Sequence, residues 1–367
     1  MKVLFVIAQY PPVVGGAEIK ASRLARALAA RGHEITVLTR RLPGTPALEN
    51  DSGADIIRLG GERGVRADLP AFAREIFRRR GRVDALHNFL LSSLTNICCL
   101  ARGSKTVISA GGAGAFGGPR DTSGFGRFAG LKWRHIAASG ARFICPAPHC
   151  AREFKEAGIA AERIFTVPNP ADTARLSPAS PEEKAALRRG LGLPENEKIF
   201  LFAGRFEHVK GGDRIIRAFL AAKPEGARLV MAGSGSLDAQ WRAMAARGGV
   251  IFAGAQADIS GWQRAADFFA LPSRSEGMSN ALVEAMACGA VPLACESGGT
   301  EMVENGRTGF SLPNTDDAAP LAEAVRKAAA LSAGEYAEFS RAARQTVERG
   351  YSMNAVIPEL ERIYESL

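Results

Sequence analysis

The sequence predicts an α/β protein built from two doubly wound domains that face one another across a cleft. Three observations predict it. The chain has 367 residues, about twice the usual size of one domain. Apolar, strand-like runs alternate with amphipathic helical stretches along both halves, which is the pattern of parallel sheets covered by helices. Glycine-rich turns follow the first strand of each half, where such folds bind ligands. Apolar residues make up 46% and charged residues 23% with no low-complexity run, so a disordered chain is excluded.

In the first half the strand-like runs are 3–8, 35–39, 56–59, 85–87, 106–109 and 142–145, with a helix expected over 17–31 and ended by Gly32. The stretch 167–194 holds Pro168, Pro170, Pro178, Pro181 and Pro194 between charged helical pieces and reads as the interdomain crossing. A second series follows at 199–203, 228–232, 250–253, 268–271 and 291–294. The expected domains are therefore 1–168 and 169–352, with a ligand cleft between the carboxyl ends of their sheets. No repeat of solenoid length is visible.

The opening residues 3–8 are apolar and run into Tyr10, Pro11 and Pro12, so they read as a first strand rather than a cleavable leader. No window approaches the roughly 20 apolar residues of a membrane-spanning helix. The six cysteines, at 98, 99, 145, 150, 288 and 295, show neither a disulfide framework nor zinc-type pairs, so a reduced, cytoplasmic protein is expected. Cys145, His149 and Cys150 lie close in sequence but offer only three ligands, a weak metal signal. Residues 1–170 carry 25 Lys and Arg against 13 Asp and Glu, while 171–367 carry 22 against 25. The first half, at +12, is expected to meet something anionic.

Three local features carry chemistry. Val13-Val14-Gly15-Gly16-Ala17-Glu18 joins the first strand to the first helix, and glycines there let a backbone approach a phosphate at a helix N-terminus. Any tight turn favours glycine, however, and the G-x-G-x-x-G order of a dinucleotide site is missing. The second feature is 202–212, directly after the first strand of the second half. Arg205 and Lys210, held there between glycines, suit a diphosphate through a guanidinium fork and a point charge. The third runs from Pro272 to Gly289. Ser279 or Asn280 caps a helix that Gly289 ends, leaving Glu276 in the loop and Glu284 about one turn into the helix. Two carboxylates so placed accept hydrogen bonds from two different sets of hydroxyls.

With Glu276 and Glu284 spaced Glu-x7-Glu, Gly204-Arg205 and Lys210-Gly211 upstream, and Gly15-Gly16-Ala17-Glu18 near the start, the chain resembles the retaining family 4 glycosyltransferases of GT-B fold, two Rossmann-like domains facing across a cleft. Arg31-Gly32-His33-Glu34, Val167-Pro168-Asn169-Pro170, Ala232-Gly233-Ser234-Gly235 and Gly298-Gly299-Thr300-Glu301 support the resemblance, which covers nearly the whole chain. It implies that Arg205 and Lys210 bind the donor diphosphate, with Gly15 and Gly16 contributing from the other domain. It implies that Glu276 binds the transferred sugar and Glu284 the ribose, while Gly277, Met278, Ser279 and Asn280 supply backbone N–H groups. A C-terminal helix at about 354–366, within 353–367, would cross back to the first domain. The donor would be a UDP- or GDP-sugar. No Asp-x-Asp occurs, so neither a metal nor any other cofactor is expected, side-chain cations taking the metal's place. Family members often carry a histidine near residue 110, where this chain has Ala110; His87 is the candidate substitute for the sugar contact, against an equally good reading as a packed histidine.

The basic half holds seven arginines between residues 63 and 82, at 63, 66, 74, 78, 79, 80 and 82, opposed by Asp68 and Glu75. Leu69, Phe72, Ile76 and Phe77 recur at helical spacing among them, and residues 125–134 mix aromatics with cations. Such helices lie on anionic lipid, or else their apolar face is simply core. Nucleic acid is disfavoured, since no binding module is recognisable. The expected activity is sugar transfer with retained anomeric configuration to a glycan or lipid-linked acceptor in lipopolysaccharide or other surface-glycan assembly, at the inner face of the plasma membrane or free in the cytoplasm. An epimerase of the same fold and a non-catalytic binding protein are the alternatives.

Overall fold

In the computed structural model the described residues are 1–13, 15–61, 65–111, 128–246 and 248–367, with the side chains of Val65 and Arg66 also outside the description. Val14 of the first glycine-rich turn, Arg63, and Phe125, Gly126 and Arg127 of the second basic stretch therefore lie outside the described residues. The chain divides into two compact units, one of Met1–Asn169 with Val356–Leu367 and one of Pro170–Ala355.

The first unit is built on strands β1 (Lys2–Val6), β2 (Glu34–Arg40), β3 (Leu48–Asp51), β4 (Ala54–Leu59), β5 (Ala85–Phe89), β6 (Thr106–Ser109), β7 (Arg142–Cys145) and β8 (Ile164–Thr166). They form one sheet in the order β3-β4-β2-β1-β5-β6-β7-β8. Every pairing is parallel except that of β3 with β4, an antiparallel edge. Helices cover both faces of the parallel strands, and all five residues of β5 are buried for that reason, His87 and Asn88 included.

The second unit carries β9 (Lys198–Ala203), β10 (Ala227–Ala232), β11 (Val250–Gly254), β12 (Phe268–Leu271), β13 (Val291–Cys295) and β14 (Phe310–Leu312). All are parallel, in the order β11-β10-β9-β12-β13-β14. The order reverses between β9 and β12, and in doubly wound sheets such a switch point opens a crevice outside the strands' carboxyl ends. Phe200, Phe202, Phe206, Phe219, Trp241 and Phe268 pack one face, while Leu201, Phe269, Leu282, Met286 and Val347 pack the other.

Three strands differ from the sequence reading, which has none at β3, β8 or β14. Each is three or four residues long, and β3 is a Leu-Glu-Asn-Asp edge with no apolar alternation to announce it. The arginine-rich helix takes the core alternative for most of its apolar face. It spans Val65–Arg79, and Phe72 and Ile76 are fully buried with Leu4, Val6, Leu38 and Leu86. Leu69, Phe72 and Ile76 of its apolar stripe therefore pack on the sheet, while Phe77 is exposed. Both acids nearby are locally engaged, Asp68 with Arg40 at 3.0 Å and Glu75 with Arg78 and Arg79 at 2.6 and 2.5 Å.

The C-terminal helix Met353–Glu365 ends inside the first unit. Glu361 accepts from Arg31 Nε at 2.7 Å and contacts His33 Nε2 at 2.8 Å, while Arg142 reaches Ile363 and Ser366. The Arg31 and His33 hydrogen bonds, against a smaller opposing effect of burial, hold the Glu361 carboxyl down to about 2.

Candidate active site

Lys210 and Glu276 meet at the switch point of the second sheet. The chain leaves β9 at Ala203, runs through Arg205 to Lys210 and enters the helix Gly212–Ala222. It leaves the neighbouring β12 at Leu271 and runs through Ser273 and Glu276 to the helix Asn280–Ala287. Lys210 Nζ lies 2.7 Å from Glu276 Oε1, and Ser273 Oγ donates to the same oxygen at 2.8 Å. Glu276 is nearly buried, its side chain 8% exposed, whereas the Lys210 side chain keeps 25% of its surface. A cation is thus fixed with one side toward solvent by a carboxylate whose other contacts lie within the fold.

Two glycines make this approach possible. Gly211 is left-handed at φ +66°, and a Cβ on it would sit 2.1 Å from the Pro272 carbonyl oxygen. The Lys210 loop therefore lies flush on the Glu276 loop only because residue 211 has no side chain. Gly299, at φ +63°, does the same from a third loop, since its Cβ would lie 2.4 Å from the Gly277 carbonyl oxygen. Backbone bonds complete the stitching: Arg274 N–H donates to Val209 at 2.8 Å, and Glu276 N–H donates to Ser297 at 2.8 Å.

Behind these loops Arg274 donates to Asp213 at 2.9 Å and to Asp316 at 2.8 Å, and buried Arg214 donates to Asp316 at 2.8 Å and Asn314 at 2.7 Å. Burial pushes the Asp213 carboxyl up, but the Arg274 hydrogen bond and charge outweigh it and hold the group below the ordinary carboxylate range. The Asp213 hydrogen bond raises Arg274 in turn. Sequence reasoning gave Ser273, Arg274 and Asp213 no role. The only available signal was the density of Ser and Arg at the mouth of β12.

Glu284 lies in the helix Asn280–Ala287, 7% exposed, where Gln263 Nε2 donates to its Oε2 at 3.2 Å. The helix starts as its sequence dictates: Ser279 Oγ accepts from Leu282 N–H at 3.3 Å, and Gly289, left-handed at φ +78°, follows its end. Gly277, Met278, Ser279 and Asn280 therefore stand at the N-terminal end of a helix, the positive end of its dipole, which favours an anion. Arg205 stands exposed on the loop it shares with Lys210. Its charge acts on Glu207, whose carboxyl is lowered mainly by Ser236 hydrogen bonds and further by Arg205. In the first unit Gly15 precedes the helix Gly16–Ala30 with extended backbone, on the segment that leads from β1 into that helix.

His87 does not keep the role of sugar contact. It is fully buried on β5, its Nδ1 against the Tyr364 hydroxyl and its Nε2 2.8 Å from Ser109 Oγ, with the ring stacked on Phe89 at 4.2 Å. Burial, helped by the Lys20 charge, pushes its pKa well down. Both ring nitrogens are committed inside the first unit. Ala110 is likewise buried, its N–H donated to Ile144. The weak metal signal at Cys145, His149 and Cys150 does not assemble either: among the described residues no three His, Cys, Asp or Glu side chains gather where a metal ion could sit.

Sequence comparison matches both halves to one family. The model described as Glycosyltransferase Family 4 matches residues 14–175, and that described as Glycosyl transferases group 1 matches 197–330. The chain belongs to the family 4 glycosyltransferases. A D-inositol 3-phosphate glycosyltransferase of Xylanimonas cellulosilytica is 29% identical over 323 residues, 79% of this chain and 77% of that one. A GDP-mannose-dependent monoacylated alpha-(1-6)-phosphatidylinositol monomannoside mannosyltransferase of Corynebacterium glutamicum is 32% identical over 179 residues, covering 45% of this glycosyltransferase but only 47% of its own length. Among solved structures, Anabaena HepE in complex with UDP and glucose superposes over 100% of both chains with a TM-score of 0.80 at 21% identity. Sucrose-phosphate synthase of Thermosynechococcus elongatus gives a TM-score of 0.80 at 20% identity over 100% of this chain and 98% of that one. These superpositions show that the fold of this glycosyltransferase is GT-B.

Proposed function

We propose that the chain transfers a hexose from a UDP- or GDP-sugar to an acceptor hydroxyl with retention of configuration at the anomeric carbon. The reading rests on one observation above all, the fixed Lys210 ammonium 2.7 Å from the Glu276 carboxylate at the second sheet's switch point. Lys210 and Arg205 stabilise the negative charge that grows on the departing diphosphate, and Glu276 accepts hydrogen bonds from the sugar hydroxyls. Glu284 takes the ribose hydroxyls, and Gly277 to Asn280 offer N–H groups to the phosphates. In the step itself the bond from the anomeric carbon to the diphosphate oxygen breaks, the bond to the acceptor oxygen forms on the same face, and the acceptor's proton passes to the departing diphosphate. No protein base is required, which fits Ala110 in place of a histidine. The diphosphate charge is met by side chains, so the proposed reaction uses no metal.

The donor class draws support from neighbours solved with UDP, glucose or UDP-glucose, and from a relative named for GDP-mannose. The acceptor we infer is a polyol or glycan hydroxyl, lipid-linked in surface-glycan assembly; relatives named for inositol 3-phosphate and for a monoacylated phosphatidylinositol monomannoside support the polyol and lipid-linked classes respectively. Thermal-shift screening of UDP- and GDP-sugars, with the matched donor then incubated with and without acceptor, tests the reading. A matched donor raises the melting midpoint, and the product's anomeric configuration is the donor's. Epimerised donor without acceptor, an inverted glycoside, or no stabilisation by any nucleotide sugar would each overturn it.

A further inference from the structure

Inside the second unit the helix Ser260–Ala265 runs into β12, and the loop that leaves β12 runs through Glu276 into the helix Asn280–Ala287. One side chain links the two helices across the flanks of that strand. Gln263 is fully buried on the first helix, and its Nε2 donates to Glu284 Oε2 at 3.2 Å and to the Ala281 carbonyl at 3.3 Å on the second. The amide cannot be turned over, since its oxygen would then face a carboxylate and a carbonyl, both of them acceptors. Held this way, Gln263 Oε1 is buried without a donor among the described residues. The neighbouring Trp262 and Ala265 form one apolar cluster with Leu282 and Met286 of the second helix.

A glutamine in this place is costly. A buried acceptor left without a donor lowers stability, and a methionine would fill a similar volume without one. What the glutamine supplies is its bond to Glu284. The Ala281 carbonyl lies in the helix, where the N–H four residues on is its ordinary partner, so the second bond adds little. The last torsion of a glutamate is broad, and a carboxylate turns about it unless a neighbour fixes its plane. Gln263 is itself rigidly based. Ala265 O accepts from Arg188 Nε at 3.0 Å, and Asp267, between the helix and β12, accepts from Arg188 at 2.6 Å and from the Ile199 N–H at 2.7 Å. We propose that Gln263 is a positioning residue that fixes the Glu284 carboxylate in the orientation which reads the ribose hydroxyls of the donor nucleotide. This role rests on the proposal that Glu284 takes the ribose. An acceptor oriented before the nucleotide arrives has no ordering cost left to meet on binding.

Calorimetry of the full chain with UDP and GDP, and with the 2′,3′-dideoxy counterpart of whichever binds more tightly, reads the role. Wild type should prefer the ribonucleotide by about tenfold or more, and Glu284→Ala should lose that preference. Gln263→Met, which keeps the volume and removes the donor, should weaken the ribonucleotide by about fivefold or more and leave the dideoxy compound unchanged. Gln263→Glu, which sets a carboxyl against Glu284, should lose at least as much. Ala265→Gly, which disturbs the same helix and keeps the donor, should lower the melting midpoint and spare the preference. Wild-type preference in both Gln263 variants while Glu284→Ala loses it, equal weakening of both nucleotides, loss of the preference in Ala265→Gly, or failure of both Gln263 variants to fold would each show a merely structural glutamine and overturn the role alone. A preference that survives Glu284→Ala, or no binding of UDP or GDP at all, would overturn the ribose assignment and this role with it.

Discussion

Removing the Lys210 side chain separates a structural ion pair from a donor-binding one. In Lys210→Ala the Glu276 carboxylate, 8% exposed, loses the ammonium 2.7 Å from its Oε1, though Ser273 still donates to it. Breaking a fully buried pair costs about 3–5 kcal/mol. The Lys210 end keeps a quarter of its surface, so solvent screening brings the cost to about 1–2 kcal/mol. The melting midpoint then falls by about 2–8 °C. The catalytic loss should be larger: a preorganised donor aimed at charge developing on a leaving group is worth about 3 kcal/mol, or about a hundredfold in turnover. Glu276→Ala should cost turnover comparably with the fold retained, and because each group positions the other, the double variant loses less than the product of the single losses. Steady-state rates with the matched donor, beside melts of all four proteins, provide the check. Turnover within about threefold of wild type in both single variants, alongside the expected melting loss, would show a merely structural pair and refute the site.

Three further outcomes follow from the geometry. Gly211→Ala forces a Cβ to within 2.1 Å of the Pro272 carbonyl oxygen in a left-handed residue; it should cost about 1–3 kcal/mol or more in stability and at least tenfold in kcat/KM, read by melting and initial rates, with wild-type values for both contradicting the flush-loop account. His87→Ala should lower the melting midpoint by an amount equivalent to about 2–4 kcal/mol while leaving the donor KM unchanged; a raised KM without a melting loss would restore the sugar contact. Lys20 is buried with no hydrogen-bond partner for Nζ among the described residues, and burial brings its pKa to about 8 from 10.5. The unfolded chain therefore binds more protons between about pH 8 and 10.5, so this group makes stability rise with pH there, and below pH 8 it costs on the order of 3 kcal/mol. Lys20→Met should be the more stable protein at pH 7, its advantage shrinking as pH rises from about 8 to 10.5; a constant difference across denaturant titrations at those pH values would refute the buried charge.

The parts of the fold that were legible share one property: their burial pattern repeats over enough residues to be read locally. Buried parallel strands such as β9, β12 and β13 announce themselves as apolar runs, and Ser279 and Gly289 announce the ends of their helix by side-chain chemistry. Edge strands have no such signal, because β3 and β14 pair through backbone with little apolar burial to select their residues. Residues 65–79 show the other limit. Periodicity located a helix with an apolar face, but whether that face meets a sheet or a lipid depends on partners far away in sequence, Leu4, Leu38 and Leu86 among them. The candidate site was legible where a loop follows a strand, as at Arg205, Lys210 and Glu276. The supports of that site, Ser273 and the Arg274–Asp213 pair, were not, because a hydrogen-bonding role is set by three-dimensional neighbours.

Why Lys210 and Glu276 face one another follows from topology rather than from either loop alone. β9 and β12 are adjacent because the sheet reverses its order between them, and their carboxyl ends release two loops side by side. Left unlinked, two surface loops would hold a lysine and a glutamate only loosely, and an exposed pair of that kind is worth little. Here Gly211 lets one backbone lie on the other, Arg274 N–H bonds to Val209, and the Arg274 side chain reaches back to Asp213 at the start of the helix that follows Lys210. The separation of cation and acid is therefore set by the second unit's own sheet and loops. Such rigidity is what electrostatic stabilisation of a departing diphosphate requires, since donors that had to reorganise during the reaction would return much of their advantage to the barrier.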